Sequence, residues 1–166
     1  MSGTKSAWEQ RVGMLIDPQR SPTFVWSYKP ADSGFYGGQP RLDYLASDIW
    51  GRFWMIEVKY LAPARKSLSL LVDLTAGQRA ALNDVGRSAW GVPLIAVGHE
   101  TDLYWFHWRD IAWLLQPIAK SPHLPLDSAF LRYTWTGPKN WKHPLFTHIN
   151  EHLPALVPQP TEPDEP

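Results

Sequence analysis

Residues 52–60 read Arg-Phe-Trp-Met-Ile-Glu-Val-Lys-Tyr, and how this stretch is read decides the fold. Phe53, Trp54, Ile56, Val58 and Tyr60 are the aromatic and β-branched types that favour a strand. Side chains alternate along a strand, so Trp54, Ile56, Val58 and Tyr60 point one way. Phe53, Met55, Glu57 and Lys59 point the other. Glu57 and Lys59 are therefore neighbours on one face of a segment too apolar to be a solvated surface. An unpaired charge there is costly, so the pair needs a partner.

Working outward, residues 41–47 (RLDYLAS) read as the preceding strand, and Asp48-Ile49-Trp50-Gly51 as a hairpin connection. A hairpin brings its strands within about 5 Å, which sets Asp43 beside Glu57. Two carboxylates that close repel and raise each other's pKa. A divalent cation relieves the repulsion. Mg²⁺ suits the place because it is hard and takes one or two carboxylates plus water and phosphate. The backbone carbonyl of Val58 offers another oxygen. Such an ion would lower the pKa of a bound water and neutralise a scissile phosphate. Lys59 would position the water and stabilise charge as it develops. Asp43, Glu57 and Lys59 thus carry the parts for phosphodiester hydrolysis.

Further out, residues 4–16 read as a helix with Trp8, Val12, Leu15 and Ile16 as its apolar stripe, ended by Asp17-Pro18. Glu9 lies on the flank of that stripe, as a further ligand or as a solvated helix residue. Residues 23–28 (TFVWSY) read as a strand closed by Lys29-Pro30, with loop beyond. Residues 61–73 read as a loop with an edge segment. Its Arg65-Lys66 pair either grips phosphates or is simply solvated. Thr75-Ala-Gly-Gln78 is a capping-box pattern opening a helix. Gln78 falls on the stripe of Leu82 and Val85, so it either faces the sheet near the metal or only completes the cap. Residues 92–98 (VPLIAVG) read as a strand buried on both faces, 102–107 (DLYWFH) as the next strand, and Asp110 to Leu115 as a helix. The order α-β-β-β-α-β-β-α is that of an α/β domain with a mixed central β-sheet flanked by helices.

The chain's 166 residues are enough for one domain, expected over 1–153 with a Trp- and Pro-rich strap from about residue 117. Residues 154–166 read as a disordered acidic Pro-rich tail. There is no cysteine, which excludes disulfides and thiolate zinc sites. No apolar stretch suits a membrane span or a secretory signal, so a cytoplasmic protein is expected. Lys and Arg number 16 and Asp and Glu 16. Residues 151–166 carry four of the acids and no Lys or Arg, so residues 1–150 are net +4. A basic body suits a polyanion such as DNA. Within 132–143, bases and aromatics interleave in a way that suits nucleic acid. The other reading is a strap whose Trp135 and Trp141 pack on the core. His143, His148 and His152 offer a weak zinc-like spacing.

On Leu42-Asp43-Tyr44, Gly51-Arg52, Ile56-Glu57-Val58-Lys59 and Leu74-Thr75-Ala76-Gly77-Gln78, the sequence resembles the PD-(D/E)xK nucleases. Within them it resembles the RecU-type Holliday junction resolvases. Lys29-Pro30, Ser67-Leu68-Ser69-Leu70 and Asp102-Leu103-Tyr104-Trp105-Phe106 extend the match over roughly residues 5–116. The resemblance implies a restriction-endonuclease-like core. It also implies a homodimer that nicks four-way DNA junctions symmetrically with Mg²⁺ or Mn²⁺ in recombination or repair. By motif position Asp43 and Glu57 would be metal ligands; Val58 and Glu9 are the further ligand candidates from the residue reading above. Lys59 would be catalytic and Gln78 a support. Lys29, Arg41, Arg65, Lys66, Lys139 and Lys142 are candidate DNA contacts. Where that family has a long stalk, this chain has only Ala31 to Leu42. A restriction-type, flap or single-strand nuclease, or a silent DNA-binding module, are the other readings of the same residues.

Overall fold

The computed structural model describes residues 4–30, 42–115 and 122–135, together with Leu145. Helix α1 (Lys5–Leu15) starts at Thr4, whose hydroxyl accepts from the Ala7 amide. That bond satisfies a donor the first helical turn leaves free. Strands β1 (Phe24–Tyr28), β2 (Tyr44–Asp48) and β3 (Phe53–Leu61) follow, then the short β4 (Ser67–Ser69). Helix α2 (Ala76–Arg87) leads into β5 (Gly91–His99) and β6 (Asp102–His107). A single turn, α3 (Trp108–Ile111), runs into a 3₁₀ turn over Ala112–Leu115. β7 (His123–Pro125), a 3₁₀ turn at Leu126–Ser128 and β8 (Leu131–Thr134) complete the described chain.

Six strands form one mixed sheet in the order β1-β2-β3-β5-β6-β8, and β4 pairs with β7 separately. β3 and β5 run parallel and the other pairs are antiparallel. The parallel step needs a crossover, which β4 and α2 supply. α1 packs on one face, where Trp8, Val12 and Leu15 meet Trp54, Ile56 and Val58. α2 and α3 cover the other, where Leu82, Trp108 and Ile111 meet Leu61, Ile95, Val97 and Phe106. β3 alternates between these two cores as its period of two requires. β5 is buried along its whole length, as its unbroken apolar run implies.

Three close fits fix the site's surroundings. Trp8 lies directly on Gly98, where a Cβ would stand 2.2 Å from the indole Cγ. The Tyr44 hydroxyl passes against Gly13 and donates to the Glu9 carbonyl at 2.9 Å, tying β2 to α1. The β2–β3 turn is closed by buried Asp48. Its carboxylate accepts from the Trp50 and Arg52 amides, from Arg52 Nε at 2.5 Å and from Trp54 Nε1 at 2.9 Å. Gly51 supplies the positive φ of that turn.

The structure corrects one expectation. The helix expected from Asp110 to Leu115 begins at Trp108 and tightens to 3₁₀ at Ala112. The reason is that Trp108 and Ile111, three apart, are the residues it buries. Within the segment expected as a strap from about residue 117, residues 131–134 form strand β8, paired with β6 on the sheet's edge. Trp135, just past β8, packs against the α1-side core. Trp141, the three histidines and the tail at 154–166 lie outside the described residues.

Candidate active site

β2 begins at Tyr44, which pairs with Ile56. Beyond that point β3 continues to Leu61 without β2 alongside. The antiparallel register, extended by one residue, sets Asp43 opposite Glu57. Instead of a ladder bond, the Asp43 carboxylate takes the Val58 amide, Oδ2 accepting at 2.8 Å. The site is thus a notch where one strand stops and an acidic side chain takes over its hydrogen bonding.

Glu57 is fully buried. Its Oε1 accepts from Gln78 Nε2 at 2.7 Å and pairs with Lys59 Nζ at 2.7 Å. Its Oε2 has no hydrogen-bond partner. Burial, followed by the nearby Asp43 charge, pushes the Glu57 carboxyl up to about 7, against the pull of Lys59 and Lys5. Desolvation is the larger cause, and repulsion between two close carboxylates adds to it.

Gln78 completes the cap and also faces the sheet. Its amide and side-chain oxygen form the capping box with Thr75, at 3.2 and 2.9 Å. The same side chain donates to Glu57 and accepts from Lys59 Nζ at 3.2 Å. The cap fixes the Gln78 rotamer, and that rotamer holds Glu57 and Lys59 together.

From the other face α1 brings Glu9 and Lys5. Glu9 Oε2 accepts from Lys29 Nζ at 2.6 Å, and its Oε1 lies 3.4 Å from Lys5 Nζ. Lys5 Nζ also donates to Asp43 Oδ1 at 3.3 Å. Burial alone would raise the Glu9 carboxyl; Lys29 and Lys5 outweigh it and lower it. Burial alone would lower the Lys5 ammonium; Asp43, Glu57 and Glu9 together raise it. Lys29 is raised, first by its hydrogen bond to Glu9.

The structure therefore brings together Asp43, Glu57, Lys59, Gln78, Glu9 and Lys29. Lys5 joins them unannounced by the sequence. Its one signal was the i,i+4 spacing to Glu9, which on most helices marks an ordinary surface pair. Arg65 is elsewhere: it makes a two-pronged pair with Asp73 at 2.9 and 2.6 Å and fastens the loop after β3. Lys66 lines a separate cleft with His99, Tyr104 and Arg132. Arg41, Lys139 and Lys142 lie outside the described residues.

Among the described residues no group of three His, Asp or Glu side chains stands ready to enclose a metal ion. The pair Asp43 and Glu57 nonetheless fits a hard divalent cation. Both offer oxygen, and one oxygen of Glu57 is buried without a hydrogen-bond partner. Mg²⁺ needs no more than two protein carboxylates when water and phosphate complete its shell. Among the described residues no helix is long and apolar enough to cross a membrane.

No protein-family model matches the chain. Over 80 residues it is 32% identical to a threonine–tRNA ligase of Myxococcus xanthus, a match that takes in 46% of this chain and 12% of that protein. The solved structure of Hjc, a Holliday junction resolvase from the archaeal hyperthermophile Archaeoglobus fulgidus, aligns with 71% of this chain and 84% of its own at 19% identity. The TM-score of that alignment is 0.44.

Proposed function

We propose that this chain is a divalent-metal-dependent endonuclease that hydrolyses DNA phosphodiester bonds, with a four-way junction as its substrate. One observation carries the reading. Asp43 and Glu57 face each other at the end of β2, with Lys59 and Gln78 fixed on Glu57 and one Glu57 oxygen buried and unshared.

In this reading Asp43 and Glu57 hold the ion, and the Val58 carbonyl is a further donor. A strand residue's N–H and C=O point to the same side, and the Val58 N–H already points at Asp43. When bound, the ion supplies positive charge at the phosphate and acidifies water. Lys59, 2.7 Å from Glu57, stabilises negative charge developing on the phosphate oxygens. Gln78 keeps both side chains in place. Lys29 lies on the exposed side of the cluster, available to DNA. Mn²⁺ would substitute for Mg²⁺, and symmetric nicking of a junction calls for a homodimer.

The self-neutralised state of the cluster favours a second reading. Lys5, Lys29 and Lys59 already balance Asp43, Glu9 and Glu57, as a metal-free DNA-binding module would need. Cleavage assays on four-way, flap, single-stranded and plain duplex DNA, with Mg²⁺ or with EDTA, separate the two. The nuclease reading expects metal-dependent nicking, strongest on the junction. It expects Asp43→Asn, Glu57→Ala and Lys59→Ala each to lose about 10²-fold or more in rate while still binding DNA. DNA binding without cutting by the wild type would establish the module. Cutting by Glu57→Ala at the wild-type rate would remove Glu57 from the site.

A further inference from the structure

The two proposed ligands have four carboxylate oxygens between them. Asp43 Oδ2 is held by the Val58 amide, and Glu57 Oε1 by Gln78 and Lys59. Glu57 Oε2 has no partner. Asp43 Oδ1 is held by Lys5 Nζ, which also reaches Glu9. A cation entering between Asp43 and Glu57 must therefore take Asp43 Oδ1 from Lys5.

From this geometry we propose that Lys5 is a tethered counter-ion. It pairs with Asp43 and Glu9 at the edge of the proposed metal position and is exchanged for the divalent metal. The inference rests on the nuclease reading of that pair. An ammonium left within about 4 Å of a divalent ion is repelled by it, so Lys5, loosely held on Asp43 Oδ1, competes with the metal for that oxygen. Lys5 is suited to leave. Its side chain is 47% exposed, it stands in the first turn of α1, and its bonds are long compared with those of Lys29 and Lys59. Until metal arrives it quiets the repulsion between Asp43, Glu9 and Glu57.

The test is metal binding rather than turnover. Mn²⁺ binding to the full chain is measured by electron paramagnetic resonance at neutral to mildly alkaline pH. Wild type is compared with Lys5→Met, Lys5→Gln and Lys5→Arg. Met and Gln should tighten Mn²⁺ by roughly 10-fold through loss of the competing charge, and Arg should stay within about 2-fold of wild type. In wild type, titration with diamagnetic Mg²⁺ should shift the NMR signal of the Lys5 ε-methylene. Mn²⁺ binding by the Met and Gln variants alone would also support the exchange. Equal or weaker binding by both variants overturns the exchange and leaves the metal site standing. No Mn²⁺ binding by any of the four proteins overturns the exchange together with the metal site.

Discussion

At the scale of single residues, Glu57 leaves a thermodynamic trace. Its carboxyl is raised from 4.5 to about 7, first by burial and then by Asp43. The fold therefore holds that proton more tightly than the unfolded chain does. The stabilisation from protonated Glu57 is complete below about pH 4.5 and is lost as pH rises through about 7. In EDTA, denaturant unfolding should show wild type losing roughly 2–3 kcal/mol from this residue between about pH 5 and pH 8. Glu57→Gln should be flatter with pH and more stable than wild type at the alkaline end. If Glu57→Gln is no more stable there, the carboxylate is already neutralised and the strain assigned to the pair does not exist. The period of two in β3 made the pairing of Glu57 with Lys59 legible in the sequence, because alternation alone sends both to one face. Lys5 was not legible. Its contact with Asp43 spans 38 residues and depends on how α1 docks, which no local pattern encodes.

At the scale of elements, the site depends on how α1 sits on the sheet, and the fit of Trp8 on Gly98 sets that seat. A Cβ on residue 98 would meet the indole at 2.2 Å, so α1 must lift to accommodate it. Gly98→Ala should cost about 2–3 kcal/mol and lower Tm by roughly 5–10 °C. It should also draw Lys5 and Glu9 away from Asp43. In a Trp8→Ala background the added methyl has room, and the same change should cost under about 0.5 kcal/mol. A full penalty in both backgrounds would mean that the strain lies in β5 and not in the helix seat. Elements with strong internal pattern, namely α1, α2, β3, β5 and β6, were readable one by one. β8 was not. It is four residues long with alternate residues exposed, and its strand state comes from pairing with β6 rather than from its own composition. α3 was displaced for a related reason. Asp110 looks like a helix start, but the buried anchors Trp108 and Ile111 pull the turn two residues earlier.

At the scale of the whole molecule, the balance of charge sets how a nuclease of this kind would meet its substrate. The chain is formally neutral, yet four of its acids and none of its Lys or Arg fall within 151–166. DNA affinity arises largely from counterion release by basic side chains, so a local surplus of carboxylates weakens the field that a phosphate backbone feels. Removing residues 151–166 leaves a body of net +4. Fluorescence anisotropy with a labelled four-way junction should find the shortened chain binding roughly 3-fold or more tighter at about 50 mM salt. That advantage should shrink towards nothing at about 300 mM, where charges beyond a Debye length no longer act. A gain that persists unchanged at high salt would mean that the segment blocks the DNA surface by contact rather than by charge. A loss of affinity would mean that it contributes to binding, against the division of the chain into a basic body and an acidic end. Repeating the titrations with a labelled plain duplex shows whether the added affinity is general to DNA. A charge effect should raise both alike, since phosphate contacts position a protein without distinguishing sequence.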